Sequence, residues 1–169
     1  MGIRGNFKLI FSYLLVLLVQ ILFLKDLGIG GIAFLFIYTY VIIKAPLNIS
    51  PNNLVIFAFL VGWLVDWFYD THGLHAFALV LIAFLRKYVL NVLTPANGYD
   101  ERSTVSLQEM TWLWYLPYVG AMLFIHHLVL FLLEASDFSL FGLSLLKIIF
   151  STLLGLVVFV LIELFSKKQ

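Results

Sequence analysis

Six long apolar stretches dominate the sequence and decide what it can fold into. They cover approximately residues 7–24, 29–43, 53–69, 73–93, 112–133 and 139–163. A helix needs about 20 apolar residues to cross a bilayer, within a range of roughly 17–25. Of all residues, 63% are hydrophobic and 11% are charged, whereas soluble domains carry about 45–50% apolar and about 25% charged residues. The sequence therefore predicts an all-α, polytopic integral membrane protein with a single transmembrane domain over residues 1–169.

The number of helices depends on three of these stretches. The second is short for a span, and the fourth contains Arg86 and Lys87, which we expect to snorkel to the interface. The first stretch follows basic residues, as in a signal peptide, but no small-residue cleavage site comes after it, so we expect it to be retained as a helix. The prediction is a bundle of six transmembrane helices, with five helices as the alternative.

The basic residues are divided unevenly between the two sides of such a bundle. With a cytoplasmic N-terminus and six alternating helices, the side opposite the cytoplasm receives only Lys25. The cytoplasmic side receives Arg4, Lys8, Lys44, Arg86, Lys87, Arg102, Lys167 and Lys168. Because Lys and Arg accumulate in cytoplasmic loops, this bias favours six helices with both termini in the cytoplasm. The basic residues form no continuous face and the net charge is +1, so no nucleic-acid partner is expected.

Ionisable groups inside the apolar stretches are expensive, and five polar side chains there are of particular interest. They are Gln20, Asp66, His126, His127 and Lys147. A rise of about 1.5 Å per residue in helices of alternating direction places all five in the outer half of the membrane. Two interpretations stay open. Either these groups line a polar cavity or docking site open toward the outer leaflet, or Asp66 pairs with Lys147 or a histidine and orders the bundle.

Helical geometry gives further expectations for single positions. His126 and His127 point about 100° apart on a helix, so we expect one to face the bundle and the other to face lipid or a partner. Ser151 and Gly155 are four residues apart, a spacing of small residues that favours close packing between membrane helices. Glu163 is expected at the interface, balanced by Lys167 and Lys168.

Motifs for catalysis and metal binding are weak. Asp66, Asp70, His72 and His75 are close in sequence and could ligate a metal, but the Gly73 break between them argues against one site. The absence of cysteine excludes disulfides, thiolate metal sites and cysteine nucleophiles. No nucleophile elbow, phosphate-binding loop, dinucleotide fingerprint or HExxH motif is present. We therefore expect no metal, no cofactor and no enzymatic activity.

Several segments together resemble a known family. They are GWLVDWFYDTHGLHA from Gly62 to Ala76, TPANGYDERSTVSLQEMTWLW from Thr94 to Trp114, HHLVLFLLE after it, and SLLKIIF in the last stretch. In this order and spacing, over nearly the whole chain, they resemble the bacterial rod-shape-determining protein MreD family. The family's most recognisable pattern is Gly-x-x-x-Asp followed, after a short gap, by Gly-x-His/Asn-Ala. In this sequence it falls on Gly62, Asp66, Gly73, His75 and Ala76.

The resemblance implies a scaffold of the cell-elongation machinery in the bacterial cytoplasmic (inner) membrane, with no catalytic activity. Its implied partners are the single-span protein MreC, the actin-like MreB filament and the polymerase and transpeptidase of peptidoglycan synthesis. A more distant similarity to the substrate-binding membrane subunits of energy-coupling-factor vitamin transporters supplies the alternative function of substrate capture. For substrate capture we expect a pocket lined by Asp66, His126 or His127, and Lys147. For the scaffold, the first candidates are the motif residues Asp66, Gly73 and His75. All candidate interaction or polar-layer residues are Gly62, Asp66, Asp70, Gly73, His75, His126, His127 and Lys147.

Overall fold

The computed structural model is mostly helical and begins with a helix that changes its winding near its end. Helix α1 runs over Ile3–Val19 and continues directly into a π-helical turn, Gln20–Leu24. Together they end where the first apolar stretch was predicted to end. The structure describes residues 3–25, 27–96, 98–99, 105–135 and 140–165, with side chains from position 10 onward.

The second apolar stretch does not form a long helix. Strand β1, Gly28–Ile29, pairs antiparallel with strand β2, Ala33–Phe34. A 3-10 turn over Ile37–Thr39 then leads into α2, a single helical turn over Tyr40–Ile43. The predicted spanning helix over 29–43 is therefore wrong. Its many aromatic and β-branched residues, and the glycines at its start, are poor helix formers, which agrees with this outcome.

Residues 33–43, here called the central segment, are enclosed by the helices. Tyr38, Val41, Ile42 and Ile43 have no exposed surface. Non-helical backbone is tolerated inside a membrane protein only where protein surrounds it and satisfies its polar groups. Gln20 does this in part, because its Nε2 donates to Leu35 O (3.2 Å) and its Oε1 accepts from Tyr38 N (3.3 Å).

Four long helices follow the central segment. They are α3 (Pro51–Tyr69), α4 (Leu74–Val92), α5 (Trp112–Glu134) and α6 (Phe141–Phe165). All four are long and apolar enough to cross a membrane, which confirms the predicted spans 53–69, 73–93, 112–133 and 139–163 within a few residues. Four such helices indicate a multi-pass membrane protein. The described residues contain six α-helices, of which α2 is only one turn.

The central segment lies beside α6 along much of its length. At the start of the segment, Phe34 N donates to Ser151 Oγ (2.9 Å). Just after its end, Lys44 pairs with Glu163. Ser151 and Glu163 are about 18 Å apart along the α6 axis at 1.5 Å per residue. The central segment therefore runs through the bundle in the same direction as α6.

Glycine allows the closest helix approach in the bundle. A Cβ placed on Gly62 of α3 would lie 2.8 Å from Ala76 N and still closer to Ala76 Cα, both on α4. The helices α3 and α4 can therefore meet at this depth only because position 62 has no side chain. On the other side of the bundle, a Cβ on Gly155 of α6 is 3.1 Å from Leu123 of α5. This agrees with the close packing predicted from Ser151 and Gly155.

Candidate functional site

The turn between α3 and α4 is built around the Asp66 carboxylate. Asp66 Oδ1 accepts from His75 N (3.0 Å) and from Thr71 Oγ1 (2.6 Å), and Oδ2 accepts from Ala76 N (2.8 Å). The carboxylate thus satisfies two N–H groups in the first turn of α4, where a negative charge also complements the helix dipole. Asp66 is bonded in this way rather than to Lys147 or a histidine side chain, so the predicted pairing is wrong.

Two residues of the same turn have left-handed backbone conformations. Asp70 ends α3 with φ 55°, and Gly73 precedes α4 with φ 92°. Residues with a Cβ rarely adopt the Gly73 conformation, and no other atom lies within 4 Å of a Cβ placed there. Glycine at this position is needed for the turn and not for close packing.

A groove of about 550 Å³ lies along α3 at this turn end of the bundle. Three of the predicted candidates, Asp66, Asp70 and Gly73, line it. His126, His127 and Lys147 are not among its lining residues. Its lining consists of Phe59, Trp63, Asp66, Trp67, Asp70, Thr71, His72, Gly73 and Ala76.

The centre of the bundle contains a hydrogen-bonded cluster around Tyr38. The Tyr38 hydroxyl lies 2.7 Å from His75 Nδ1 and 2.7 Å from His126 Nε2. A hydroxyl has one proton, so Tyr38 donates to one imidazole and accepts an N–H from the other. The two histidines are therefore held in linked tautomers. The cluster ties the central segment to α4 and α5 at one point.

Gln20 connects this cluster to the first and third helices. In addition to its bonds with the central segment, Gln20 Nε2 donates to the Tyr69 hydroxyl at the end of α3 (2.6 Å). The Tyr69 ring packs edge-on against His75, with centroids 4.8 Å apart. Three of the polar groups considered from the sequence, Gln20, His75 and His126, therefore belong to one network.

His126 and His127 both lie inside the bundle. Neither has exposed surface, so the prediction that one of them faces lipid or a partner is wrong. His127 Nδ1 lies 2.9 Å from Thr152 Oγ1 of α6, and the Phe36 ring packs against both imidazoles. Both can be enclosed because the central segment and α6 cover different sides of α5.

Lys147 belongs to a separate contact at the start of α6. Its Nζ is 3.3 Å from Glu134 Oε2 at the end of α5 and lies 5.4 Å from the ring centroids of Phe34 and Phe131. Glu134 is the partner that the sequence analysis did not consider. The candidate polar residues are thus divided among the turn, the Tyr38 cluster and this ion pair.

The opposite end of the bundle, here called the loop end, carries a buried ion pair. Lys44 Nζ lies 2.5 Å from Glu163 Oε1, and Glu163 Oε2 accepts from Leu107 N (3.1 Å). Glu163 is only 2% exposed, and the sequence did not predict this burial; its position at the membrane interface stays a prediction. Lys167 and Lys168, its expected partners, lie outside the described residues. Burial lowers the pKa of Lys44, and Glu163 opposes this shift by bonding the charged form.

Arg86 also lies inside the bundle, although we expected it to snorkel. It is 3% exposed. Its Nε donates to the Tyr118 hydroxyl (2.8 Å), and its two terminal nitrogens donate to Pro46 O (3.3 Å) and Ala45 O. These carbonyls directly follow α2. The guanidinium therefore donates hydrogen bonds to carbonyl groups that have no partner within the helix.

Sequence reasoning missed the residue that organises the interior. Tyr38 stands in an apolar stretch with other aromatic residues, and nothing local distinguishes it from them. The usable signal is a tyrosine in a stretch too short and too rich in glycine to be a reliable span. Buried tyrosines need a partner for the hydroxyl, and the histidines of the later helices are suitable ones.

The polar side chains of these sites bond mainly to other groups of the chain. Within the described ranges, no group of three or more His, Cys, Asp or Glu side chains is arranged to hold a metal ion. The turn site presents two carboxylates and aromatic rings to its groove, whereas the Tyr38 cluster and the Lys147–Glu134 pair present no side chain to it. Comparison of the chain with protein-family models, curated proteins and solved structures finds no match.

Proposed function

We propose that this protein is a non-enzymatic scaffold in the bacterial cytoplasmic membrane that supports rod-shape control and peptidoglycan synthesis. Its direct neighbour is an MreC-like single-span protein, which links it to the MreB filament and to the wall polymerase and transpeptidase. The proposal starts from the resemblance to the MreD family. What the structure adds is a physical reason for the residues on which that resemblance depends.

The residues of the Gly-x-x-x-Asp and Gly-x-His-Ala pattern act together at one place. Gly62 lets α3 approach Ala76, and Asp66 bonds to the backbone N–H groups of His75 and Ala76. Gly73 gives the turn its conformation, and the His75 ring joins the Tyr38 cluster. A pattern that fixes one turn and connects it to the bundle centre supports a role in which a rigid surface is presented to a partner.

The observation that carries the proposal is that interior polar groups bond to one another across helices. Substrate capture would need Asp66, a histidine and Lys147 to face one cavity. Of these, only Asp66 lines the groove at the turn, while His126 and His127 are fully buried and Lys147 pairs with Glu134. This distribution favours a preassembled bundle over an outward-open ligand pocket.

The polar loop before α5 is fastened to the bundle and supports a cytoplasmic contact surface. Leu107 N donates to the Glu163 carboxylate, and Gln108 Nε2 donates to Glu163 O (3.0 Å). Trp114 Nε1 donates to Leu93 O (2.7 Å) at the other end of the connection. The described residues at both ends of this loop are therefore held to the bundle, which supports a contact with a filament or with a partner's tail at this end.

The proposed topology has six crossings and both termini in the cytoplasm, with the central segment as the second crossing. The course of this segment beside α6 supports it, and so does the meeting of Lys44 with Glu163. Asn48 and His72 are exposed on opposite sides of this arrangement, and the chain has no cysteine. An impermeant thiol reagent outside spheroplasts should label His72→Cys and spare Asn48→Cys. Labelling at position 48 would contradict the topology.

Depletion and rescue in a rod-shaped host that carries this protein test the function. Wild type should restore rod shape, whereas Gly73→Leu should restore it poorly at normal membrane abundance, because a side chain is strained at φ 92°. Gly120→Leu is the matched control, since a Cβ at position 120 meets nothing within 4 Å and Gly120 has no positive φ.

Mild solubilisation of the same cells gives a second readout. A single-span partner should co-purify with wild type and with Gly120→Leu, and less of it with Gly73→Leu. Depleted cells that keep their shape but lose uptake of a vitamin or another metabolite would replace the scaffold proposal with substrate capture.

A further inference from the structure

One face of α3 carries an aromatic stripe that is largely uncovered. Phe59, Trp63 and Trp67 recur at intervals of four residues, and Trp67 is the most exposed of them at 78%. Residues four apart lie on the same face of a helix. All three line the groove at the turn end, and the rings of Phe59 and Trp63 are 5.8 Å apart. The groove therefore presents aromatic faces along one wall.

The floor and the end of this groove are acidic. Asp66 is already bonded to three donors of the chain. Asp70 differs from it, because its side chain is exposed and its carboxylate accepts no hydrogen bond from the described residues. Among the described residues that line the groove, none is lysine or arginine. The groove thus has negative charge and aromatic rings, but no cation from the chain.

At two other places in the molecule, aromatic rings lie beside a lysine of the chain. At the loop end, Lys87 Nζ lies 4.8 Å from the ring centroid of Tyr88. At the start of α6, Lys147 Nζ lies near Phe34 and Phe131 and also pairs with Glu134. The Lys147 site contains rings, a carboxylate and an ammonium group. The α3 groove repeats this composition with the ammonium group missing.

We propose that the groove binds the ammonium head group of phosphatidylethanolamine. Ammonium groups are attracted to the faces of Trp rings, and recognition strengthens where a carboxylate is present. The turn that forms the groove connects two helices able to span a membrane, so it lies at a membrane surface. Lipid head groups are the ammonium groups present at that surface, and the exposed apolar face of α3 continues as a surface for the acyl chains.

The phosphate of this lipid also has a possible partner in the groove, the His72 side chain. The phosphate lies next to the ammonium group in this lipid, and the exposed His72 lines the groove beside Asp70. An imidazole N–H can donate to a phosphate oxygen. The site therefore distinguishes a zwitterionic head group from an anionic head group that lacks the amine. This inference does not depend on the scaffold role.

Native mass spectrometry of the purified full chain tests the proposal. The protein is mixed with equal amounts of phosphatidylethanolamine and phosphatidylglycerol, and the retained lipid is counted. We expect phosphatidylethanolamine to be retained about 5-fold more often, in keeping with a partly exposed cation–π contact assisted by a carboxylate. Acetylation of the lipid amine removes its charge and should abolish the preference. Equal retention of the two lipids, or no effect of acetylation, would overturn the proposal.

Variants assign the preference to this groove. Asp70→Asn keeps a residue that tolerates the left-handed conformation while removing the charge, and Trp67→Leu removes the most exposed ring. Both should abolish most of the preference, whereas Trp67→Phe should keep much of it. Trp112→Leu, at an exposed tryptophan outside the groove, is the control and should change nothing.

Correct folding is checked by the elution volume of each variant in size-exclusion chromatography, and Asp70→Asn decides the outcome if Trp67→Leu elutes abnormally. An unchanged preference in Asp70→Asn would overturn the assignment. A second outcome would also overturn it: a basic protein that co-purifies with wild type but not with Asp70→Asn, and that prevents lipid from binding. The cation in the groove would then come from a partner chain.

Discussion

The central segment is held at its middle and just beyond its end by different kinds of chemistry. In the bundle centre, Tyr38 is joined to His75 and His126 by bonds among hydroxyl and imidazole groups. Just beyond the segment's end, Lys44 and Glu163 form a buried ion pair, and the Arg86 guanidinium binds the carbonyls of Ala45 and Pro46. The first site uses groups that can be neutral, and the second uses full charges.

This difference reflects the cost of charge at different positions. A charged group deep in a membrane protein is expensive, whereas long basic side chains near a surface can keep part of their hydration. Lys44 retains 14% of its side-chain exposure, and Tyr38 retains none. The central segment is thus bonded to the bundle at two places, by neutral groups in the interior and by charged groups where part of the side chain stays exposed.

Breaking the Lys44–Glu163 ion pair should have the largest effect on stability. Glu163→Gln leaves Lys44 buried without its counter-ion, and we expect a loss of about 3 kcal/mol in the free energy of unfolding, because an uncompensated buried charge is left behind. Lys44→Met combined with Glu163→Gln should lose less than Glu163→Gln alone. Denaturant titration in detergent measures both of these variants and Lys44→Met alone. Additive losses would mean that the pair contributes little.

The same variant should respond to pH. Burial already lowers the pKa of Lys44 below its ordinary 10.5, and Glu163→Gln removes the group that opposes this shift. Between the folded pKa and 10.5, the unfolded chain binds more protons than the folded chain, so stability rises with pH in this window. The deficit of Glu163→Gln should therefore shrink as pH increases toward 10.5, and a constant deficit would contradict this account.

Breaking the hydrogen bonds of the Tyr38 hydroxyl should have an intermediate effect on stability. Tyr38→Phe leaves His75 Nδ1 and His126 Nε2 without their shared partner, and we expect a loss of about 2 kcal/mol, since each unsatisfied buried polar group costs about 1–3 kcal/mol. Tyr88→Phe removes a hydroxyl from an exposed tyrosine and should change stability by less than about 0.5 kcal/mol. Equal effects of the two substitutions would show that the Tyr38 bonds stabilise nothing.

Breaking the Lys147–Glu134 pair should have the smallest effect on stability. Glu134 is 51% exposed at the side chain, and exposed ion pairs contribute about 0–1 kcal/mol. We expect Lys147→Met to lose about 0.5 kcal/mol or less, independently of Asp66→Asn, because Asp66 bonds to the start of α4 and not to Lys147. A clearly non-additive double variant would restore the pairing between Asp66 and Lys147 that the sequence suggested.

The sequence predicted the parts of the fold that local physics determines. The spans of α3, α4, α5 and α6 follow from length and hydrophobicity alone, since a bilayer requires both. Gly62 and Asp66 became candidates together through the family pattern, and the structure brings both of them against the start of α4.

The central segment could not be predicted in the same way. Its backbone is satisfied by partners far along the chain, such as Ser151 for Phe34. Hydrophobicity marks residues 29–43 as apolar but does not say whether lipid or protein will surround them. The burial of Arg86 and Glu163 was not predicted for the same reason, because each is enclosed by a part of the chain distant in sequence.

The course of the central segment has a consequence for how the protein is made. Ribosomes complete residues 33–43 long before the groups that satisfy them, because 117 positions separate Phe34 from Ser151 and 119 separate Lys44 from Glu163. At about 5–20 residues per second, the delay is roughly 6–24 s. During that time residues 33–43 cannot lie in lipid as non-helical backbone, because their N–H and C=O groups would have no hydrogen-bond partners. We therefore expect the cell's insertion machinery to hold this stretch until α6 arrives, so that the second apolar stretch enters the membrane last.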